Sequence, residues 1–336
     1  MNDVREAVRP ILQVENLRTY FHTADGLVRA VDGVSFELSP GTTLGIVGES
    51  GCGKTVACLS LLGLIDDPGR IEPGSVIRLR ERDLVGVPEE ELRSVRGNEI
   101  SMIFQEPMTS LNPVRTIGDQ VAEAFRIHRR ASGAEARARA VEMLRLVGIS
   151  GAERRAGDYP HQFSGGMRQR AMIAMALACD PAILIADEPT TALDVTIQAE
   201  ILDLLKSLQE RLGMAMIFVS HDLGVVSQIA DRVLVMYAGQ VVESGTAAEI
   251  FEAPRHPYTA GLLSSIPRVT GRLPRLSVIS GSVPSPRRWP EACRFHPRCP
   301  HAWDRCRQEH PPLLGTDHPA RCWLVERDEE GKVGEE

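Results

Sequence analysis

A glycine-rich octapeptide, set between a strand pattern and a helical pattern, constrains the fold of this chain more than any other feature. Residues 48–55 read Gly-Glu-Ser-Gly-Cys-Gly-Lys-Thr. The run 43–47 before them is typical of a short buried strand, and 55–64 carries apolar residues at helical spacing. The sequence therefore predicts a strand, a loop and a helix, an order in which backbone N–H groups and a helix N-terminus can surround an anion.

The octapeptide also satisfies the phosphate-binding pattern G-x-x-x-x-G-K-[ST]. Its glycines let the backbone close around phosphate oxygens, Lys54 supplies a positive charge near the β and γ phosphates, and the Thr55 hydroxyl suits Mg²⁺. A coincidental glycine turn would match in on the order of one chain in a hundred. We therefore predict a bound nucleotide. Its ligands would be Gly48, Ser50, Gly51, Cys52, Gly53, Lys54, Thr55 and Val56.

A second apolar run ends in two acidic residues. Residues 183–186 read Ile-Leu-Ile-Ala and are followed by Asp187 and Glu188. Such a strand can deliver carboxylates to the mouth of a phosphate loop. Asp187 would then hold Mg²⁺ through water, and Glu188 would orient or deprotonate the attacking water, a role worth ~10² to 10⁴ in rate. The pattern alone leaves open a plainer interpretation, in which the pair only complements a helix dipole.

The patterns elsewhere predict an α/β protein. Residues 11–38 alternate around an Asp-Gly pair and are typical of antiparallel strands, which predicts an N-terminal β-layer. Strand patterns at 183–186 and 215–219 alternate with a helical pattern at 196–212. This alternation favours a mostly parallel sheet with crossover helices. A hairpin is predicted at 233–243.

Two further segments are added to that core. Beyond residue 105 the pattern becomes helical, with Ser132 and Glu135 at capping-box spacing, which predicts an inserted helical subdomain. Beyond Phe251 prolines multiply and helical periodicity fades. The predicted boundaries are 1–253 for a nucleotide-binding domain with its helical subdomain at about 106–170, 254–326 for a Pro/Cys-rich extension, and 327–336 for a charged tail.

Four of the seven cysteines fall close together near the C-terminus, and a reducing cytosol disfavours disulfides between them. Their spacing, C-x5-C-x6-C-x15-C, differs from the short pairs of common zinc modules. Four thiolates could hold zinc or a [4Fe–4S] cluster, and unmetallated core thiols are the alternative. The predicted metal ligands are Cys293, Cys299, Cys306 and Cys322, with a mixed set including His296, His301, His310 or His318 left open.

Charge and hydropathy exclude several classes of protein. The formal net charge of −7 opposes a general nucleic-acid binder, since neutralising phosphates requires clustered Lys and Arg. No segment reaches the ~18 uninterrupted apolar residues of a membrane span, because the best candidate, 171–186, is interrupted by Asp180 and Pro181. The first residues lack the apolar core of a signal peptide. We therefore expect a cytosolic chain that reaches a membrane only through a partner.

A third motif resembles one that is specific to a single family of P-loop enzymes. Residues 163–170, Phe-Ser-Gly-Gly-Met-Arg-Gln-Arg, resemble the signature motif of ABC ATPases, with Phe for the usual Leu and Met for the usual Gln. The resemblance covers about residues 11–245 and implies the P-loop NTPase fold of an ABC cassette. Three further positions match family motifs in the expected order: Gln105 the Q-loop, Asp194 the D-loop and His221 the switch histidine.

The family resemblance implies how such a site works. Two cassettes pack head to tail, and each ATP lies between the P-loop of one and the signature motif of the other, so function requires a dimer. The implied catalytic residues are Glu188, His221, Gln105 and Lys54; those for Mg²⁺ are Thr55, Gln105 and Asp187; those acting in trans are Ser164, Gly165, Gly166 and Gln169. Phe21, or else Tyr20, would stack on adenine, unless Phe21 only packs in the β-layer.

Three other segments resemble the oligopeptide/dipeptide importer branch and its D-type ATPase. They are 104–113, 256–259 and 293–300. The branch implies a second ATPase subunit, either an F-type paralogue or a second copy of this chain, two transmembrane permease subunits and an extracytoplasmic substrate-binding protein. It also implies a peripheral location at the cytoplasmic face of the inner membrane. Between the two metals, the branch favours the [4Fe–4S] cluster over zinc.

The expected function is therefore to hydrolyse ATP and energise a membrane importer of di- and oligopeptides. Nickel chelates and glutathione remain alternative cargoes, because relatives in the branch import them. A soluble ABC protein acting on ribosomes or DNA-repair complexes is a different class, but it usually carries tandem cassettes, coiled-coil insertions or a basic face, which this sequence lacks. A degenerate regulatory cassette is opposed by the presence of Lys54, Asp187, Glu188 and His221.

Overall fold

The computed structural model describes residues 9–105, 110–191, 193–265 and 279–327. These residues form two compact units. The first unit comprises Met1–Ile11, Leu38–Thr42 and Gly86–Val219, and the second comprises Leu12–Glu37, Thr43–Val85 and Ser220–Glu336. Positions 106–109 of the predicted importer segment, two of the C-terminal prolines and nearly all of the predicted charged tail lie outside the described residues.

The elements follow one another in mixed order along the chain. The strands are β1 Leu12–Thr23, β2 Gly26–Leu38, β3 Thr43–Val47, β4 Gly69–Ile71, β5 Val76–Leu79, β6 Arg82–Asp83, β7 Ile100–Ile103, β8 Ile183–Asp187, β9 Ala215–Ser220, β10 Arg232–Tyr237 and β11 Gln240–Thr246. The helices are α1 Lys54–Leu61, α2 Glu89–Val95, α3 Ile117–Arg129, α4 Gly133–Leu146, α5 Ala152–Arg155, α6 Gly165–Ala176, α7 Val195–Leu212, α8 Leu223–Ile229, α9 Ala247–Glu252, α10 Pro257–Ser264 and α11 Asp304–Gln308.

Three parallel strands form the sheet of the first unit. β8 lies between β7 and β9 and pairs with both in parallel. Every residue of β8 and β9 is buried, as expected for parallel strands covered on both faces. The connection from β8 to β9 contains α7, which Asp194 caps at its N-terminus and Gly213 ends with a φ of +64°. The two predicted parallel strands, β8 and β9, and the crossover helix between them are confirmed, whereas β7 was not predicted.

Among the described residues between β7 and β8, the first unit contains the helices α3, α4, α5 and α6. The Ser132 side chain accepts from the Glu135 N–H, and the Glu135 carboxylate accepts from the Ser132 N–H at 2.8 Å. This reciprocal pair is the predicted capping box, and it explains why α4 begins at Gly133. The same helix ends at Leu146, two residues before Gly148, whose φ is +79°.

The second unit contains an antiparallel β-layer and a short mixed sheet. β1 pairs antiparallel with β4 and β5 and is flanked by β2, which confirms the predicted N-terminal layer. The strands β4 to β6 were not predicted, because they are short and lack a long alternating run. β3 pairs parallel with β10, and β10 pairs antiparallel with β11 around Ala238-Gly239, the predicted hairpin.

The C-terminal segment of the second unit is the predicted extension, residues 254–326, of which 254–265 and 279–326 are described. It packs against the strands of the same unit through polar contacts. Arg294 forms an ion pair with Asp32 of β2 and donates to the Ala238 carbonyl oxygen at 2.5 Å. Trp289 Nε1 donates to the Arg29 carbonyl oxygen at 3.1 Å. A small apolar cluster, Leu314, Ala320, Cys322, Leu324 and Val325, supports the end of the segment. Among all described residues, no helix has the length and apolar character required to span a bilayer.

Candidate functional site

The glycine-rich octapeptide, residues 48–55, joins the end of β3 to the start of α1 in the second unit and is called the phosphate-type loop below. Crowding around it requires glycine at two positions. Gly48 has a φ of +151°, and an added Cβ would overlap the Met236 carbonyl oxygen. Gly53 has a φ of +105°, and an added Cβ would overlap the Ala30 carbonyl oxygen. At Gly51, with a φ of +77°, no atom lies within 4 Å of an added Cβ. Gly48 and Gly53 are therefore required by packing as well as by backbone conformation.

Lys54 folds back over this loop. Its side chain is 5% exposed, and Nζ donates to the carbonyl oxygens of Gly48 at 2.8 Å and Glu49 at 3.2 Å. Ser50, Gly51 and Thr55 are exposed, and Val56 is half-buried. Cys52 is buried, and burial raises the pKa of its thiol, which keeps it neutral at physiological pH. The loop thus exposes two residues that carry hydroxyl groups, Ser50 and Thr55, while Lys54 brings its charge alongside.

In the first unit, β8 ends at Asp187 and is followed by Glu188. Asp187 is 1% exposed. Glu188 has a φ of +47°, uncommon for a residue other than glycine, and its N–H donates to the Val219 carbonyl oxygen at 3.0 Å. Its Oε2 accepts hydrogen bonds from Gln105 Nε2 and from the Thr191 hydroxyl, both at 3.0 Å. The carboxylate is therefore held in one orientation by two donors, which suits a group that must position a water.

The signature motif also lies in the first unit, at the start of α6. Ser164 caps this helix by accepting from the Met167 N–H at 3.4 Å, and both Ser164 and Gly165 are exposed. An added Cβ at Gly166 would come within 3.0 Å of the Ile197 side chain. Gln169 is 1% exposed, so its side chain is buried whereas Ser164 is accessible to a partner.

The remaining predicted residues occupy turns and strand ends. Asp194 is exposed, and its carboxylate accepts from the Ile197 N–H at 3.0 Å, which caps α7. His221 is exposed and directly follows β9.

The two candidate adenine-stacking residues differ in their contacts. Phe21 is half-buried and lies opposite Gly69 in the β1·β4 pairing, so its ring covers a position without a side chain. The Tyr20 hydroxyl donates to the Asp32 carboxylate. Burial and this hydrogen bond raise the pKa of Tyr20 to about 12. The Phe21 ring thus packs on Gly69, while the hydroxyl of Tyr20 is bound to Asp32.

The four predicted metal-ligand cysteines line one narrow cavity of the second unit. Its open space is about 10 Å³, roughly the room that one water needs. Burial raises the pKa of Cys293 to about 11 and that of Cys322 to about 12, and the neighbouring thiols contribute. Burial also raises the pKa of Cys299. These three thiols are therefore neutral at physiological pH unless a cation compensates their ionisation.

The four alternative histidines divide into two pairs. His296 and His301 line the same cavity as the cysteines. His318 Nε2 lies 2.7 Å from Glu243 Oε1, and His310 Nε2 lies 2.9 Å from Gln240 Oε1, so both have other partners. Within the described ranges, no group of three or more His, Cys, Asp or Glu side chains is arranged to hold a metal ion. The four thiols therefore line one cavity, but in the described structure they are not arranged around a single point at which a metal ion could bind.

Sequence reasoning missed two residues that contact the phosphate-type loop. Arg298 binds the Glu49 carboxylate, and the Tyr258 hydroxyl accepts from the Glu49 N–H. Both lie more than two hundred residues from Glu49 in the chain. From sequence, the short motifs around them, 256–259 and 293–300, indicate only a family branch and, through Cys293 and Cys299, a metal site. No local spacing rule connects such distant positions.

Comparison with known proteins identifies the family. A model described as ABC transporter matches residues 31–191, and one described as oligopeptide/dipeptide transporter, C-terminal region, matches residues 242–306. The chain is 53% identical over 95% of its length to the oligopeptide transport ATP-binding protein AppD of Bacillus subtilis, covering 98% of that protein. The chain belongs to the ABC transporter family, as an ATP-binding subunit. The predicted ABC-type ATPase is thereby confirmed.

Other ABC proteins support the same assignment. A putative peptide import ATP-binding protein of Brucella abortus is 53% identical over 94% of the chain and 97% of that protein. The dimeric ATP-binding cassette MJ0796, solved in a post-hydrolysis state with ADP and phosphate, matches with a TM-score of 0.63 at 28% identity, over 70% of this chain and 98% of that one. The cbiO1 protein of Clostridium perfringens matches with a TM-score of 0.62 at 27% identity, over 73% and 91%. The predicted ABC cassette fold is therefore confirmed.

Proposed function

We propose that this chain hydrolyses ATP to energise a membrane importer of di- and oligopeptides. The observation that carries the proposal is that relatives named for oligopeptide transport and peptide import are 53% identical to it over nearly its whole length. The match of residues 242–306 to the oligopeptide/dipeptide transporter C-terminal region supports the same cargo class. The phosphate-type loop of the second unit is suited to binding the phosphates of ATP. The Glu188 carboxylate of the first unit, held by two hydrogen bonds, is suited to positioning the attacking water.

Each residue of the site has a proposed role that its chemistry supports. Lys54 and the loop N–H groups bind the phosphates, and Thr55 with Asp187 holds Mg²⁺, which prefers hard oxygen ligands. Glu188 takes the proton of the attacking water. Gln105 orients Glu188 through its 3.0 Å hydrogen bond and also binds Mg²⁺ or its water. His221 acts at the γ phosphate, and Phe21 stacks on adenine.

Two cassettes would complete the site. We propose that Ser164, Gly165 and Gly166 of one cassette contact the ATP bound by the loop of the other, with Asp194 near the same interface. The exposure of Ser164 and Gly165 supports contact with a partner. The burial of Gln169 supports a role in holding α6 rather than direct contact. ATP between two cassettes biases them toward association, and loss of the γ phosphate removes that bias.

The proposed assembly is a peripheral subunit at the cytoplasmic face of the membrane. A second ATPase subunit, two permease subunits and an extracytoplasmic binding protein would complete it, and movement around Gln105 would couple hydrolysis to the permeases. Residues 1–253 would form the nucleotide-binding domain, 254–326 its extension and 327–336 a charged tail.

The cargo is tested on the assembled complex in proteoliposomes. We expect ATP hydrolysis and substrate uptake to rise several-fold with a mixture of di- and oligopeptides, because cargo binding biases the transporter toward the state that closes the two cassettes. Parallel assays use a nickel chelate and glutathione at the same concentration. If a nickel chelate or glutathione stimulates ATP hydrolysis and uptake while peptides do not, the cargo would be reassigned. The proposal that the chain hydrolyses ATP would still stand.

We also propose that the four cysteines bind a [4Fe–4S] cluster, with Zn²⁺ as the alternative. Convergence of the thiols on one cavity supports a shared ligand, and four thiolates suit either metal. The limited space about them means that a cluster would require the surrounding turns to spread. When bound, such a group would stabilise a segment that has only a small apolar core.

Anaerobically purified protein is expected to show a broad visible absorption with about four irons per chain. Replacing Cys306 with Ser should abolish this signal. The buried Cys179, in the first unit, supplies the matched control Cys179→Ser, which should retain it. One zinc per chain without visible absorption would favour Zn²⁺, and protein free of both metals would overturn the proposal.

A further inference from the structure

Glu49, the second residue of the phosphate-type loop, has each of its polar groups held by a hydrogen bond. Its N–H donates to the Tyr258 hydroxyl at 2.9 Å. Its carbonyl oxygen accepts from Lys54 Nζ at 3.2 Å. Its carboxylate accepts two hydrogen bonds from Arg298, at 2.6 and 2.9 Å. Two of these three attachments come from the C-terminal segment, so that segment contacts the loop directly.

Arg298 is fixed independently of Glu49. Its side chain is 4% exposed, against 30% for Glu49. Nε donates to the Ser280 carbonyl oxygen at 3.0 Å, and Nη2 approaches the Ile279 carbonyl oxygen at 3.4 Å. The guanidinium also lies over the Tyr237 ring, 5.8 Å from its centroid. Because these contacts already fix the guanidinium, its planar fork presents two donors to the carboxylate at little further entropic cost.

Tyr258 is equally constrained. It is wholly buried in α10 and packs against Tyr237 and Phe295, with ring centroids 4.7 and 5.4 Å away. Burial raises its pKa above the ordinary value for tyrosine, so the hydroxyl is neutral at physiological pH. A rigid ring therefore places one acceptor opposite the Glu49 N–H. This hydrogen bond directs the N–H toward Tyr258 instead of toward a phosphate, and it attaches the loop to α10.

We infer that Arg298 and Tyr258 are positioning residues for ATP binding, holding Glu49 so that the loop stays in its phosphate-binding conformation and a carboxylate beside the phosphates stays neutralised. This rests on the proposed function, since it assigns residues to the same ATP site. Without Arg298, the Glu49 charge would repel the triphosphate. Without the Tyr258 hydroxyl, the Glu49 N–H would lose its acceptor and the loop would sample other conformations.

The test measures the Kd of a fluorescent ATP analogue for the full chain. Arg298→Gln should raise this Kd about tenfold, less than for a wholly buried ion pair because Glu49 is partly exposed. Arg298→Lys keeps the positive charge but not the planar group that donates two hydrogen bonds at once. It should recover part of the ATP affinity that Arg298→Gln loses. Tyr258→Phe should raise the Kd about threefold to tenfold, which corresponds to the net contribution of one hydrogen bond. Arg307→Gln, which removes an exposed arginine paired with Asp304, is the matched control and should not change it.

A double-mutant cycle separates this role from general destabilisation. Glu49→Gln combined with Arg298→Gln should bind ATP more tightly than Arg298→Gln alone, because the uncompensated carboxylate is gone. A fold defect would not be rescued in this way. Arg298→Gln with a Kd equal to that of wild type and of Arg307→Gln, or effects that simply add in the cycle, would overturn the inference. Failure of the wild-type chain itself to bind ATP would instead overturn the proposed function.

Discussion

Glu188→Gln is expected to reduce ATP hydrolysis by the assembled complex by ~10² to 10⁴-fold while ATP binding is retained. Gln has the size of Glu and keeps an acceptor for the Gln105 amide and the Thr191 hydroxyl, so the geometry around residue 188 should persist. It cannot accept the proton of the attacking water, so the chemical step alone is lost. Phosphate release and equilibrium ATP binding, measured on the same preparation, distinguish the two effects.

The control for this substitution is Glu210→Gln, on the exposed face of α7 in the same unit. It removes the same charge without touching β8 and should hydrolyse ATP at the wild-type rate.

ATP-loaded Glu188→Gln should also remain associated with a second cassette, as seen by light scattering with and without the cognate F-type subunit. Wild-type turnover by Glu188→Gln would show that another group is the base. A protein that stays monomeric with ATP and partner present would refute the shared site.

Gly53→Ala is expected to abolish measurable ATP binding. An added Cβ would overlap the Ala30 carbonyl oxygen, and a φ of +105° is strained for alanine. Overpacking costs about 1–3 kcal/mol and a left-handed backbone about 1–2 kcal/mol more, so the loop would leave its present conformation. Because Gly53 immediately precedes Lys54, any such shift moves the lysine and the start of α1 together.

Gly51→Ala is the matched comparison, in the same loop and also at a positive φ. Nothing lies within 4 Å of the added Cβ, so only the backbone strain of about 1–2 kcal/mol applies. We expect at most about a thirtyfold loss of ATP affinity for this variant. Both are measured by ATP binding, with circular dichroism to confirm that the chain folds. Equal losses for the two variants would mean that crowding by Ala30 does not decide the effect.

The C-terminal segment links these results to the importer branch. Its residues 293–300 include two of the cavity cysteines and Arg298, which binds Glu49 in the phosphate-type loop. A segment that carries the predicted metal ligands therefore contacts the loop that we propose binds ATP. The match to the oligopeptide/dipeptide transporter C-terminal region covers the same stretch, residues 242–306.

Much of the fold was predictable from the sequence because its signals are local. A buried strand followed by a glycine-rich loop and a helix, the Ser132–Glu135 capping box, and the apolar run ending in Asp187 each depend on neighbours within about one turn or strand. The signature motif is also continuous, so it is recognisable from its own residues. The short strands β4 to β6 were missed since a few residues carry no clear periodicity.

The sequence by itself determined which residues we propose to carry the chemistry: the loop at 48–55, the two acids at the end of β8, and a dense group of C-terminal cysteines. Only the tertiary structure decided which of them meet. It buried Gln169, turned Gln105 toward Glu188, brought the four cysteines to one cavity, and set Arg298 against Glu49 across 249 residues of chain. The physical reason is that such contacts depend on how distant elements pack, and no local preference of either segment records that packing.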